Sequence, residues 1–147
     1  MNSKVQLQND LKEAMLNKDS VRKTTIRMVL AAIKNAEIDK GQELEDSEIQ
    51  VIIQKEVKSR RETIEEARRV KRLDIVSENE SEIEILDTYL PKQLSTDEIN
   101  SMARAAIVEV GATSPQEIGQ VMKVLMPRVR GQADGKEVNQ IVRQLLA

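Results

Sequence analysis

The chain has 147 residues, 39% of them apolar, with 23 Lys and Arg against 25 Asp and Glu for a formal net charge of -2. That length bounds it at one compact domain or two small ones, and the near-neutral balance confines any polyanion-binding surface to local patches. With no Cys, His, Trp or Phe and one Tyr, Tyr89, it lacks thiolate and imidazole nucleophiles, the Ser-His-Asp triad, ordinary zinc or iron sites and multi-ring stacking of single-stranded bases.

Five Gly and three Pro, with apolar residues recurring at spacings of three and four, predict an all-α fold. The N-terminal stretch MNSKVQLQND has no apolar leader, and no run approaches the roughly 18 apolar residues of a spanning helix. The expectation is a cytoplasmic protein with no membrane partner. A first helix is expected over Ser3 to Lys18, burying Leu7, Leu11, Ala14 and Met15. A second, over Asp19 to Asp39, buries Ile26, Val29, Ile33 and Ala36 before Gly41 and the polar GQELED stretch break it. A third, capped by Ser47 with Gln50, carries Ile49, Ile53, Val57, Ile64 and Ala67 within an arc of about 80°. A fourth, over Leu73 to Leu90, buries Val76, Ile83, Leu86 and Leu90 and is stopped by Pro91, which has no N–H to donate.

The LPKQLS stretch is then the linker between a helical N-terminal lobe of about four helices, residues 1–92, and a small three-helix C-terminal tail, residues 95–147. In the tail, Ser95 with Glu98 opens a helix ending near Val110, at Gly111. Ser114 with Glu117, and Pro115 at the first helical position, open a second that should kink or end at Pro127. Asp134 with Glu137 opens the last, which runs to Ala147. Two single apolar stripes, one from Ile118 to Met126 and one from Val138 to Leu146, close the small core.

The runs LQNDLKEAMLNKD, IRMVLAAIKNAEI, RLDIVSENESEIEILDTYLPKQLSTDEI, IVEVGATS and IGQVMKVLMPRVRGQADGKEVNQIV together resemble the GatB/YqeY family, specifically its stand-alone YqeY-like members. The resemblance covers essentially the whole chain, and YLPKQLS and GQADG are its most specific parts. It implies an all-helical lobe followed by a tail domain like that of the B subunit of the tRNA-dependent amidotransferase, a tail that contacts tRNA. The phosphorylation and transamidation chemistry of that enzyme belongs to a separate, larger domain and ammonia release to another subunit. The carbon-nitrogen ligase label, with glutamine as amido donor, therefore describes the relative rather than an expected activity of this chain.

Residues Lys55 to Arg72 hold eight basic positions against four acidic ones, and Lys58, Arg61, Arg68, Arg69 and Arg72 fall within about 100° on a continuous helix. Such a face tracks phosphates, because guanidinium grips phosphate bidentately; the plainer reading is a solvated face with internal pairs. Arg60 lies on the apolar stripe and needs a partner, which Glu78, Glu80, Glu82 or Glu84 of the next helix can supply. Those acids are read as a solvated face rather than as a magnesium cluster. In the tail, Lys123, Arg128, Arg130 and Lys136 surround a turn formed by Gly131 and Gly135, and are read either as a plain helix-helix connection or as an RNA contact.

The leading expectation is a non-catalytic module that binds tRNA or another structured RNA in translation, with no catalytic residue, no metal and no cofactor. A cytosolic protein-protein adaptor, including one for a protein partner in translation, is the alternative. Carbon-nitrogen ligase activity ranks last, since it would rest on carboxylates alone.

Overall fold

A computed structural model describes residues 2–147. Among them it contains seven α-helices and no strand. The chain divides into two compact units, Met1–Leu90 and Pro91–Ala147.

The first unit holds α1 (Ser3–Leu16), α2 (Ser20–Lys40), α3 (Asp46–Arg69) and α4 (Leu73–Asp87). Leu7, Ile26, Val29, Ile33, Ile49, Ile53, Val57 and Leu86 form its main core, each contributing about 1.5–3 kcal/mol by leaving water. Met15, expected inside, is half exposed, because α1 ends one residue later and the chain turns through a left-handed Lys18 with φ 56°. The distal parts of α3 and α4 share a separate cluster of Ile64, Ala67 and Val76. Neither α1 nor α2 contributes a buried residue there, so this end of the hairpin is two helices thick.

Arg60 is buried on the apolar stripe and is satisfied from three sides. Its Nε donates to Glu82 Oε2 at 2.9 Å, its Nη1 to Glu56 Oε2 at 2.7 Å, and its Nη2 faces the Met28 sulfur at 3.7 Å. Burial alone would lower its pKa, but the bonds to the two carboxylates more than offset this. Elsewhere Glu37 ties three segments, accepting from Lys4 Nζ at 2.7 Å and from the Leu44 N–H at 3.0 Å.

Cap chemistry sets the helix ends, and at α3 it differs from expectation. The cap is Glu45, in a reciprocal box with Glu48, rather than Ser47 with Gln50. Asp46 Oδ1 accepts the Ser3 N–H at 3.0 Å, which anchors the start of α3 to the start of α1. At its other end α3 closes with Arg72 N–H donating to Ala67 O at 2.8 Å and Lys71 N–H to Arg68 O at 3.1 Å. This is the Schellman arrangement, with Lys71 at φ 59° in the position that glycine usually takes.

The second unit packs α5 (Thr96–Val110), a short 3-10 turn (Pro115–Glu117), α6 (Ile118–Val129) and α7 (Gly135–Leu146). Its core includes Ile99, Ala103, Ala106, Val121, Leu125, Val129, Val138 and Val142. The box of Ser95 with Glu98 forms as expected, at 3.1 and 3.3 Å. Ser114 makes no side-chain cap, and Glu117 instead accepts the Thr113 N–H at 2.9 Å. Asp134 caps α7 by accepting the Lys136 N–H at 3.3 Å. Pro127 does not end α6. The helix continues to Val129, whose complete burial holds the last turn in place despite the missing donor.

Candidate nucleic-acid interface

The segment after Pro91 runs against the turn between α6 and α7. Leu94 N–H donates to Gln132 O at 2.8 Å, Gln93 Nε2 donates to Gly131 O and to Pro91 O, both at 2.9 Å, and Gln132 Nε2 reaches Lys92 O at 3.3 Å. The turn itself is closed by the N–H groups of Gln132 and Ala133, which donate to Val129 O at 2.9 and 3.1 Å. Gly131 is buried at φ 81°, a backbone that strains any L side chain. Parts of LPKQLS and GQADG are thus joined into one local structure.

Three exposed cations project from it: Lys92, Arg130 and Lys136. Arg130 follows the last residue of α6, and its extended backbone, φ -59° and ψ 129°, leaves the helical path. Lys136 is the second residue of α7. Lys92 extends the charge toward the start of α5. The Glu98 carboxyl there is held below its ordinary pKa, first by the Ser95 N–H and hydroxyl, with a further contribution from the Lys92 ammonium. Lys92 is a candidate residue that sequence reasoning does not single out. A lone lysine in a polar linker carries no signal until the bonds from Gln93 Nε2 to Gly131 O, from Leu94 N–H to Gln132 O and from Gln132 Nε2 to Lys92 O join its segment to the turn that follows Arg130.

The other expected residues are placed differently. Arg128 is exposed but grips Glu109 of α5 with both terminal nitrogens, at 2.8 and 2.9 Å. That pair raises the pKa of Arg128 and lowers that of Glu109. Lys123 is exposed on α6, about 140° around the axis from Arg128 by helical geometry, so the two do not share a face. Gly135 is the first residue of α7 rather than a left-handed turn residue, and an added Cβ would lie 3.5 Å from the Met126 methyl. Asp134 already occupies the N-terminal donors of α7 at Lys136, so that helix start is not an open anion site.

On α3, Lys58, Arg61, Arg68, Arg69 and Arg72 are all exposed, but they do not form the continuous face expected. The helix ends at Arg69, and left-handed Lys71 turns the chain, so Arg72 leaves the face and precedes α4. Arg72 pairs with Asp74 at 3.1 Å and Arg68 with Glu80 at 3.1 Å. With Glu82 taken by Arg60, two acids of α4, Glu80 and Glu82, pair across the hairpin with α3.

A family model described as Yqey-like protein matches residues 4–146. Among curated proteins, the chain is 38% identical over 118 residues to "Altered inheritance of mitochondria protein 41, mitochondrial" of Lachancea thermotolerans, covering 78% of this chain and 63% of that protein. It is 35% identical over 133 residues to the protein of the same name in Saccharomyces cerevisiae strain YJM789, covering 90% of this chain and 63% of the other. Identity to the protein of that name in Pyrenophora tritici-repentis is 32% over 145 residues, covering 95% and 78%. The chain spans less than two thirds of the length of the first two of these relatives, 63% in each. The expectation of a cytoplasmic protein is corrected by these relatives, which are named as mitochondrial. That expectation came from the lack of an apolar leader, which bears on secretion and does not discriminate between compartments inside a cell.

Proposed function

Since the chain belongs to the YqeY-like family, we propose that it is a non-catalytic RNA-interaction module associated with translation, with tRNA as ligand. The observation that carries the reading is the joined structure of residues 91–94 and 130–136. It holds Lys92, Arg130 and Lys136 exposed on a backbone fixed by hydrogen bonds. Exposed cations on a rigid turn suit phosphate oxygens, since such contacts position a nucleic acid without reading its bases. The resemblance of residues 95–147 to a tail that contacts tRNA supports the same assignment.

Arg128 is assigned a structural role in this reading, because its guanidinium is already shared with Glu109. Among the described residues of α3, Arg61 and Arg69 have no ion pair or hydrogen-bonded side-chain partner, and form a secondary, weaker contact for the same polyanion.

The reading is tested by titrating the purified chain with unfractionated tRNA at several salt concentrations. Three neutralised phosphates give a log-log slope of about -2 to -3, from roughly -0.7 to -0.9 for each phosphate. An absent or salt-independent signal favours the protein-protein adaptor. Glutamine, ATP and glutamyl-tRNA supplied together are expected to yield no amidated product.

A further inference from the structure

Arg60 carries its five N–H donors into the interior of the first unit, where it is 5% exposed. Oxygen accepts from two of its three nitrogens. Nε donates to Glu82, and Nη1 donates to the Glu56 carboxylate and, at 3.1 Å, to the Glu56 carbonyl. Nη2 has one partner among the described residues, the Met28 sulfur at 3.7 Å. A thioether is a weak acceptor, so this charged nitrogen has left water for little in return.

Met28 is also unlike the other methionines. Met102, Met122 and Met126 are partly buried against the core of the second unit. Met15 is half exposed, but the guanidinium facing its sulfur belongs to Arg27, which is itself exposed and has water for its donors. Among the described residues, Met28 alone joins an outward-reaching side chain, 49% exposed, to a donor of a buried arginine.

We propose that Met28 is a reversible oxidation site whose sulfoxide oxygen is received by Arg60 Nη2. With hydrogen peroxide as oxidant, the sulfur lone pair takes one peroxide oxygen. The S–O bond forms as the O–O bond breaks, and the proton of the transferred oxygen leaves with the other oxygen as water. The sulfur is oxidised and the peroxide reduced. The chain has no Cys, so the return needs an external dithiol, which becomes a disulfide as the sulfoxide oxygen departs as water.

A sulfoxide inside a core disrupts it, because an apolar side chain has become polar. At Met28 the new oxygen meets a cationic donor that lacks a strong acceptor, and a charge-assisted bond is about twice as strong as a neutral one. The 3.7 Å between nitrogen and sulfur exceeds the N–H···O distance of about 2.9 Å, which leaves room for an oxygen carried on that sulfur. Oxidation thus tightens the seam between α2 and α3 instead of opening it.

The test treats the full chain carrying Met15→Leu with hydrogen peroxide, follows oxygen addition by peptide mass mapping and compares urea unfolding midpoints. Met28 is expected to be oxidised several-fold faster than Met102, Met122 and Met126. The chain oxidised at Met28 is expected to unfold at a midpoint no lower than before treatment, and methionine sulfoxide reductase with dithiothreitol is expected to restore the thioether. Glutamine places a carbonyl oxygen where the sulfoxide carries its own, so Met28→Gln is expected to unfold at a higher midpoint than Met28→Leu. At the other half-exposed methionine, Met15→Gln is expected to gain nothing over Met15→Leu. Oxygen added first to the tail methionines, a sulfoxide that the reductase leaves in place, a midpoint lowered by oxidation, or Met28→Gln at or below Met28→Leu would overturn the proposal. So would an equal gain from glutamine at position 15, which would owe nothing to Arg60. Neither Met28 nor Arg60 belongs to the RNA surface, and no RNA enters the experiment, so its failure leaves the tRNA reading untouched.

Discussion

At the scale of single residues, two polar side chains, Tyr89 and Arg60, tie elements of the first unit together. Tyr89 donates its hydroxyl to Asp10, and Arg22 lies 3.7 Å from the same carboxylate. Burial, then the hydrogen bond to Asp10, push the phenol above its ordinary value of 10.0. A raised folded-state pKa means that the contribution is complete below pH about 10 and is lost as pH climbs through the higher folded value. As the chain has no Trp and one Tyr, the phenolate absorbance reports this group alone. Asp10→Asn is expected to move that midpoint back toward the ordinary one, and an unchanged midpoint would refute the contact. Arg60 shows what sequence can and cannot reveal. Its place on an apolar stripe called for an acid of the next helix, and Glu82 is that acid, but Glu56 and the Met28 sulfur were not foreseen. Urea unfolding is expected to show a loss of about 1.5–3 kcal/mol for Glu82→Ala, since Glu56 still pairs the buried cation. Removing both acids is expected to cost about 3–5 kcal/mol, because the charge is then buried alone.

Whole elements were legible where their ends carry distinctive residues. Gly41 and Gly111 close α2 and α5 at φ 78° and 70°, and Ser95 with Glu98 opens α5, all as glycine and cap chemistry predict. Lys18 and Lys71 adopt the same left-handed backbone, and nothing in a lysine announces that. Projecting Lys58 to Arg72 onto one continuous helix therefore carries the expected phosphate-tracking face across a turn. Cap choice was ambiguous for a related reason: EDSE offers several oxygen-bearing residues in succession, and the bond from Ser3 to Asp46 settles the register. Relief of the strained backbone makes Lys71→Gly stabilising by about 1 kcal/mol, read as a higher midpoint in thermal or urea unfolding. A lower midpoint would mean that the lysine side chain contributes more than the strain removes.

For the molecule as a whole, the all-α class and the arrangement of four helices followed by three followed from periodicity, because each helix buries a single stripe. The candidate surface was only half legible. Arg130 and Lys136 are legible from the charge around the GQADG turn, whereas Lys92 is brought there by bonds from the Gln93 and Gln132 side chains to backbone carbonyls 38 and 40 positions away. Each unit has its own buried core, and Pro91–Ala147 expressed alone is expected to unfold in one cooperative transition by circular dichroism; a non-cooperative melt would show that its core is insufficient. The most direct test of the RNA reading compares the wild-type chain with Lys92→Glu combined with Arg130→Glu in tRNA titrations across salt concentration. Both positions are exposed and, among the described residues, neither forms a salt bridge, Lys92 acting on Glu98 only at longer range, so helicity is expected to remain while affinity falls and the salt slope shrinks by about 1.4–1.8. Unchanged affinity and slope in that double variant, with the wild-type chain binding tRNA normally, would contradict the assignment of the interface to this turn.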